Sequence, residues 1–318
     1  MISTVQTMAG AFLGLALAAT TSSAQTKTTP VNPVIYKTEK VDGLDIFYRE
    51  AGPANAPTIL LLHGFPSSSH MYRDLINDLK DSYHVIAPDY PGFGNSSFPD
   101  RSQFRYTFDN LSAVIEKFID AKGLKKFALY IQDYGAPVGL RIASRRPELI
   151  SALIIQNGNA YTEGFGPYLA PFPPFWNARN AETEKPLRDF LTITGTKLQY
   201  LDGVENPENI NPDAYNLDQA YLDRPGNVEV QLDLFFDYQN NPKQYPVWQN
   251  YFSTKQPATL IVWGKNDKFF TAAGAEAYKK HLKDIDFHLL NTGHFALEDY
   301  HSEIAAYIKD FLSKRKIK

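Results

Sequence analysis

Short apolar-rich runs alternate along this chain with segments whose apolar residues recur at helical spacing, and no other feature narrows the possible folds as far. The runs are Thr58 to Leu62, Tyr83 to Ala87, Lys126 to Ile131, Ile150 to Ile155, Thr259 to Trp263 and Ile285 to Leu290. A strand that is apolar on both faces must be covered on both faces, which is the condition of a mostly parallel sheet between helical layers. The helical segments carry matching signatures. Phe108, Leu111, Val114, Ile115, Phe118 and Ile119 share one helix face, with Thr107 as N-cap and Gly123 past the end. Gly135 to Ser144 is a second helix, stopped by Pro147, and a third lies near residues 272–283. Leu297, Tyr300, Ile304, Tyr307, Ile308 and Phe311 mark one face of the last. Ahead of all these, two alternating runs across residues 34–50 flank Asp42-Gly43, the signature of a β-hairpin.

The alternation stops at Asn157 and resumes at Thr259. Residues 160–254 hold 10 of the 21 prolines and 17 of the 43 aromatic residues, with 13 acidic against 6 basic side chains. This stretch reads as an inserted, mainly helical lid of charge −7, which leaves residues 25–159 and 255–318 as one core domain. The 318-residue chain as a whole carries a formal charge of −3. It has none of the clustered Lys and Arg that counterion release on nucleic acid requires. The absence of cysteine removes disulfide scaffolds, zinc–thiolate sites, iron–sulfur clusters and cysteine nucleophiles together. The seven histidines have no metal-ligand spacing, and Gly92-Phe93-Gly94 lacks the third glycine of a dinucleotide fingerprint. The expectation is an activity with no cofactor and no metal.

The first 24 residues bear no charged side chain. Met8 to Ala19 is an apolar run of 12, followed by the small residues Ser22-Ser23-Ala24. A run of that length suits a signal peptide and is too short to span a bilayer. Residues 1–24 are therefore read as an export signal, with a mature chain from near Gln25, a secreted or periplasmic location and no stable membrane insertion. Without such a signal the location would be cytoplasmic.

In open α/β sheets ligands sit beyond the carboxyl ends of the strands. The residues that follow the expected strands are His63-Gly64-Phe65-Pro66, Asp89, Gln132-Asp133-Tyr134-Gly135, Asn157, Lys265-Asn266-Asp267 and Gly293-His294. Among them Asp133, Asp267 and His294 stand in the order nucleophile, acid, histidine, which is the order of α/β-hydrolases. Ile131-Gln132-Asp133-Tyr134-Gly135 resembles the nucleophile elbow of that superfamily, with Asp in place of Ser and with Ile131 where a small residue is usual. His63-Gly64-Phe65-Pro66 resembles the oxyanion loop of epoxide hydrolases. Pro66 to Arg73 looks more like haloalkane dehalogenases, and Trp263-Gly264-Lys265-Asn266-Asp267 resembles the acid loop of both. The resemblance spans roughly residues 34–316 and is weakest in the inserted segment. It implies an α/β-hydrolase fold of the branch with an aspartate nucleophile.

The residues support the same chemistry physically. A carboxylate is a poor acyl-transfer nucleophile but attacks an sp³ carbon that bears a strained or halide leaving group. Asp133 would form an alkyl ester. His294, oriented by Asp267, would activate a water to hydrolyse it, and the N–H groups of Phe65 and Tyr134 would hold the oxyanion. The partners are then a small neutral molecule and water.

The leaving group divides the reading. Haloalkane dehalogenases hold the halide with Trp and Asn N–H donors, and the matching positions here are Tyr134 and Phe65. Trp176 or Trp248 in the insertion would have to supply a donor. Epoxide hydrolases protonate the ring oxygen from two lid tyrosines. Tyr238-Gln239 lies about where that family has the second, followed there by Arg, which makes Tyr238 the leaving-group acid candidate. An epoxide hydrolase is the first expectation and a haloalkane dehalogenase the second. A catalytically silent fold binding an apolar ligand is the third.

Overall fold

The computed structural model describes residues 32–317, together with Met1 and Thr4. Apart from those two residues, the segment read as an export signal lies outside the described residues.

The chain opens with β1 (Ile35–Val41) and β2 (Leu44–Ala51), antiparallel across Asp42 and Gly43. Both turn residues have positive φ, +50° and +81°, which is the backbone that a two-residue hairpin turn demands. Then follow β3 (Thr58–Leu62), α1 (Arg73–Leu79), β4 (His84–Pro88), α2 (Phe108–Ala121), β5 (Phe127–Gln132), α3 (Gly135–Arg145) and β6 (Ile150–Gln156). After an insertion come β7 (Thr259–Gly264), α10 (Ala272–Ala277), β8 (Ile285–Leu290) and α11 (Leu297–Lys314). The eight strands form one sheet in the order β1-β2-β4-β3-β5-β6-β7-β8. From β4 to β8 every pairing is parallel.

The apolar runs from β3 to β7 are largely buried on both faces, with the period of two that strand geometry imposes, whereas the edge strand β8 is mostly half-buried and leaves Leu289 exposed. In β5, Phe127, Leu129 and Ile131 join the core layer that contains the apolar faces of α2 and α3. Ala128 and Tyr130 join the opposite layer, with α1 and α11. The Thr107 hydroxyl accepts from the Asn110 N–H at 3.2 Å and caps α2 as its sequence position predicts.

Several elements differ from the sequence reading, most by a single residue at an end. β4 begins at His84 rather than Tyr83. The expected helix over 272–283 is α10 followed by a tight turn at Tyr278–Lys280, and it ends early. α1 has no counterpart in the sequence reading. It is seven residues long, entered through the turn Ser69–Tyr72, and offers only Leu75, Ile76 and Leu79 as a periodic signal.

The insertion between β6 and β7 carries α4 (Phe172–Asn177), α5 (Ala181–Asp189), α6 (Ile193–Leu201), α7 (Pro212–Leu222), α8 (Asn227–Asp237) and α9 (Asn240–Lys255). It is joined to the core by buried polar as well as apolar contacts. Tyr200 of α6 donates its hydroxyl proton to Asp218 of α7 and stacks on Phe295 of the core, with ring centroids 4.0 Å apart. Asp218 is fully buried, and its second carboxylate oxygen has no partner. Burial is the main cause that pushes its pKa up to about 7. Among the described residues no helix is long and apolar enough to cross a membrane.

Candidate active site

Asp133 sits at the sharp turn between β5 and α3. Its φ is +48°, the left-handed region that a residue with a Cβ adopts at a cost of about 1–2 kcal/mol. The turn is that tight because α3 starts against β3. A Cβ on Gly135 would lie 2.1 Å from the Leu62 carbonyl oxygen, so only glycine fits. The turn projects the Asp133 carboxylate beyond the sheet. Its Oδ1 accepts from the Phe65 N–H at 2.7 Å, and the Tyr134 N–H turns to the same carboxylate. Burial raises its pKa, against the pull of His294 and of those two N–H groups, and the net direction is up.

His294 follows β8, and Asp267 follows β7. The His294 Nδ1 is 2.7 Å from Asp267 Oδ2, and its Nε2 is 3.7 Å from Asp133 Oδ2. Asp267 is itself fixed: Oδ1 accepts from the N–H groups of Phe269 at 2.7 Å and Phe270 at 3.1 Å. Its Oδ2 also accepts from Asn157 Nδ2 at 2.8 Å. Burial draws the His294 pKa down, but the carboxylates of Asp267 and Asp133 outweigh it, and the imidazole is held above its ordinary value. The three residues that sequence order linked are thus within reach of one another. The arrangement contains a buried carboxylate, a histidine held through Nδ1 by a second buried carboxylate, and the backbone N–H groups of Phe65 and Tyr134 turned to the first.

Above them is a narrow cavity. Its walls are aromatic, with Phe65 and Tyr134 from the core and Phe172, Phe235 and Tyr238 from the insertion, and Gln199 adds a polar group. Tyr238 stands at the carboxyl end of α8, 4% exposed, with its ring 6.3 Å from that of Tyr134. Burial, then the Tyr245 hydroxyl and the Asp133 charge, push its pKa well up. It therefore stays a proton donor across the neutral range.

The two tryptophans are not among the cavity-lining residues, which corrects the expectation that either supplies a donor there. The Trp176 indole N–H donates to the Phe235 carbonyl at 2.8 Å, and the ring stacks on Tyr238. Trp248 is fully buried beside Tyr245, with the Arg141 guanidinium 5.6 Å from its ring. Trp176 is half-buried against Phe172 and Tyr238, and the buried indole N–H of Trp248 has no hydrogen-bond partner among the described residues.

Two contributors escaped the sequence reading in all but position. Asn157 was notable only as the residue after a strand. Its side chain bridges the Gly264 backbone and Asp267, and its own φ of +42° aims it there. Gln199 lay in an unpatterned stretch of the insertion and carries a buried amide nitrogen without a partner.

Comparison with known proteins agrees with this geometry. Residues 57–300 match the family model described as alpha/beta hydrolase fold. Uncharacterized hydrolase YNR064C of Saccharomyces cerevisiae is 43% identical over 277 residues, which covers 86% of this chain and 95% of that one. Epoxide hydrolase 2 of Caenorhabditis elegans is 24% identical, covering 88% and 80%. The crystal structure of haloalkane dehalogenase DbeA from Bradyrhizobium elkani superposes with a TM-score of 0.67 at 21% identity, covering 89% and 99%, a likeness of fold. The chain is a hydrolase that belongs to the α/β hydrolase fold family, in the branch that holds epoxide hydrolases and haloalkane dehalogenases.

Proposed function

We propose that this hydrolase opens a neutral, apolar epoxide through an ester on Asp133, with residues 160–254 acting as the lid. The observation that carries the reading is Tyr238 in the wall of an aromatic cavity over Asp133, where no indole N–H is found. Asp133 Oδ1 is engaged by the Phe65 N–H, so Oδ2 is the oxygen that attacks the ring carbon. The C–O bond breaks, and the ring oxygen takes a proton from the Tyr238 hydroxyl. His294, oriented by Asp267, then takes a proton from a water that attacks the ester carbonyl. The N–H groups of Phe65 and Tyr134 hold the oxyanion, each contributing roughly 3 kcal/mol. Of the two water protons, one ends on the diol and the other restores Tyr238. A departing halide would need N–H donors that this cavity lacks, since Trp176 gives its own to Phe235. An export signal over residues 1–24 is part of the same reading, and a mature N-terminus near Gln25 in protein recovered outside the cell would bear it out.

The test is a panel of terminal epoxides and bromoalkanes, read by diol formation and halide release. His294→Gln removes the base of the second step alone, so intact-protein mass spectrometry with an epoxide should find an adduct on the peptide carrying Asp133. Halide release without any diol moves the assignment to a dehalogenase. A His294→Gln enzyme that turns over without an adduct removes the two-step scheme.

A further inference from the structure

Gln132 is the last residue of β5, fully buried and directly ahead of Asp133. Its side chain turns to the histidine, with Nε2 3.3 Å from His294 Nε2. Its Oε1 is buried and has no hydrogen-bond partner. That oxygen packs against the Phe65 loop so closely that a Cβ on Gly64 would lie 2.2 Å from it. Gln132 therefore occupies the space between the loop, the nucleophile and the histidine, with one polar atom committed and one idle.

The committed atom has a definite electronic partner. Neutral His294 carries its proton on Nδ1, facing Asp267, which leaves a bare lone pair on Nε2. An amide N–H can donate to that lone pair but not to an Nε2 that bears a proton. The charged groups that face His294 are Asp267, from the loop after β7, and Asp133, after β5; Phe269, Phe270 and Phe295 pack around the ring. Both carboxylates favour the imidazolium, the form that cannot act as a base. Gln132 is the side chain that favours the other form.

We propose that Gln132 is a positioning residue for the hydrolytic half of the reaction: its amide N–H favours the neutral form of His294 against the two carboxylates, and its idle Oε1 accepts the second proton of the incoming water as that water displaces the amide from Nε2. No proton passes to Gln132 itself. The water gives one proton to His294 and aims the other at Oε1, which directs its remaining lone pair toward the ester. The inference rests on the reading of His294 as the base of ester hydrolysis.

The test uses Gln132→Leu and, should that variant fail to fold, Gln132→Met, which is closer in length and equally unable to donate. ¹⁵N NMR of labelled imidazoles, with His294→Gln to assign the signal, follows the titration of His294 without substrate. The expected result is a rise in the His294 pKa of about half to one unit, the size of one lost hydrogen bond to the neutral form. With an epoxide, decay of the Asp133 ester should slow by at least about 10-fold, so that the adduct accumulates in the variant. A buried residue with only a packing role would leave the His294 titration where it is. An unmoved titration in the folded variant, or ester decay at the parental rate, overturns the proposal. A parent enzyme that never forms the ester overturns the epoxide reading instead, and the titration then decides this inference alone.

Discussion

Asp218 is the residue whose replacement has the most calculable effect on stability. It is fully buried between α6 and α7, and its pKa of about 7 stands against an ordinary value of 3.8. An acid whose folded-state pKa is raised binds its proton more tightly when folded. Its contribution to stability is complete below pH 3.8 and is lost as the pH rises through about 7. The difference of about 3 units corresponds to about 4 kcal/mol at 1.36 kcal/mol per unit, of which about 2–3 kcal/mol is lost between pH 5 and pH 8. Asp218→Asn keeps an acceptor for the Tyr200 hydroxyl and carries no charge at any pH. At pH 5 the variant should already be the more stable by about 1–2 kcal/mol, and at pH 8 by about 4 kcal/mol. Urea unfolding followed by tryptophan fluorescence at pH 5, 6, 7 and 8 measures the gap, and taking the difference between the two proteins cancels the titration of every other group. A gap that stays constant across that range would refute the assignment of a raised pKa to Asp218.

Tyr238→Phe should slow epoxide opening by at least about 10-fold while leaving any bromoalkane turnover almost unchanged, since only the oxygen leaving group needs a proton; equal diol rates in the variant and the parent remove Tyr238 from the scheme. Asn157→Ala takes a 2.8 Å donor from buried Asp267, and a drop in kcat of about 10- to 100-fold is expected, with full activity in the variant counting against an orienting role. Gly135→Ala forces a Cβ into the Leu62 carbonyl and should cost at least about 1–3 kcal/mol in a melting experiment, against a few tenths if the elbow can relax. Fluoroacetate and chloroacetate should be poor substrates, because no Lys or Arg lines the cavity and residues 160–254 carry −7; efficient halide release from either would contradict this.

What could be read from the chain divides along the range of the interactions. The hairpin at Asp42-Gly43, the Thr107 cap and the period-two burial of β5 are each decided within a few residues, so sequence order alone reveals them. The triad was readable for a different reason: each member directly follows a buried strand, and the topology of a parallel sheet brings such positions to one edge. Asn157 follows a strand too, yet its task depends on Gly264 and Asp267, 107 and 110 residues away, and nothing local announces it. In the insertion the local signals mislead. Pro186 and Pro246 lie inside α5 and α9, where sequence rules would end a helix, and tertiary packing overrides them. Trp176 and Trp248 have the chemistry of halide donors but not the place. Trp176 gives its N–H to the Phe235 carbonyl and Trp248 is buried against Tyr245 and Arg141, which residue type alone cannot reveal.

The buried polar links of the site have a consequence for how the protein folds. Phe65 reaches Asp133 over 68 residues, Asn157 reaches Asp267 over 110, and Gln132 reaches His294 over 162. Loop closure over such distances comes late, after local helices and hairpins have formed and the sheet has begun to close from its centre. On the proposed mechanism, a chain stalled partway, with β3 to β6 paired but β7 and β8 still undocked, would carry Asp133 without His294. Such a species could be alkylated but could not release the product, so a reactive substrate met before folding is complete would trap it irreversibly. Completion of the sheet would then also be the step at which Asp133 becomes safe to expose.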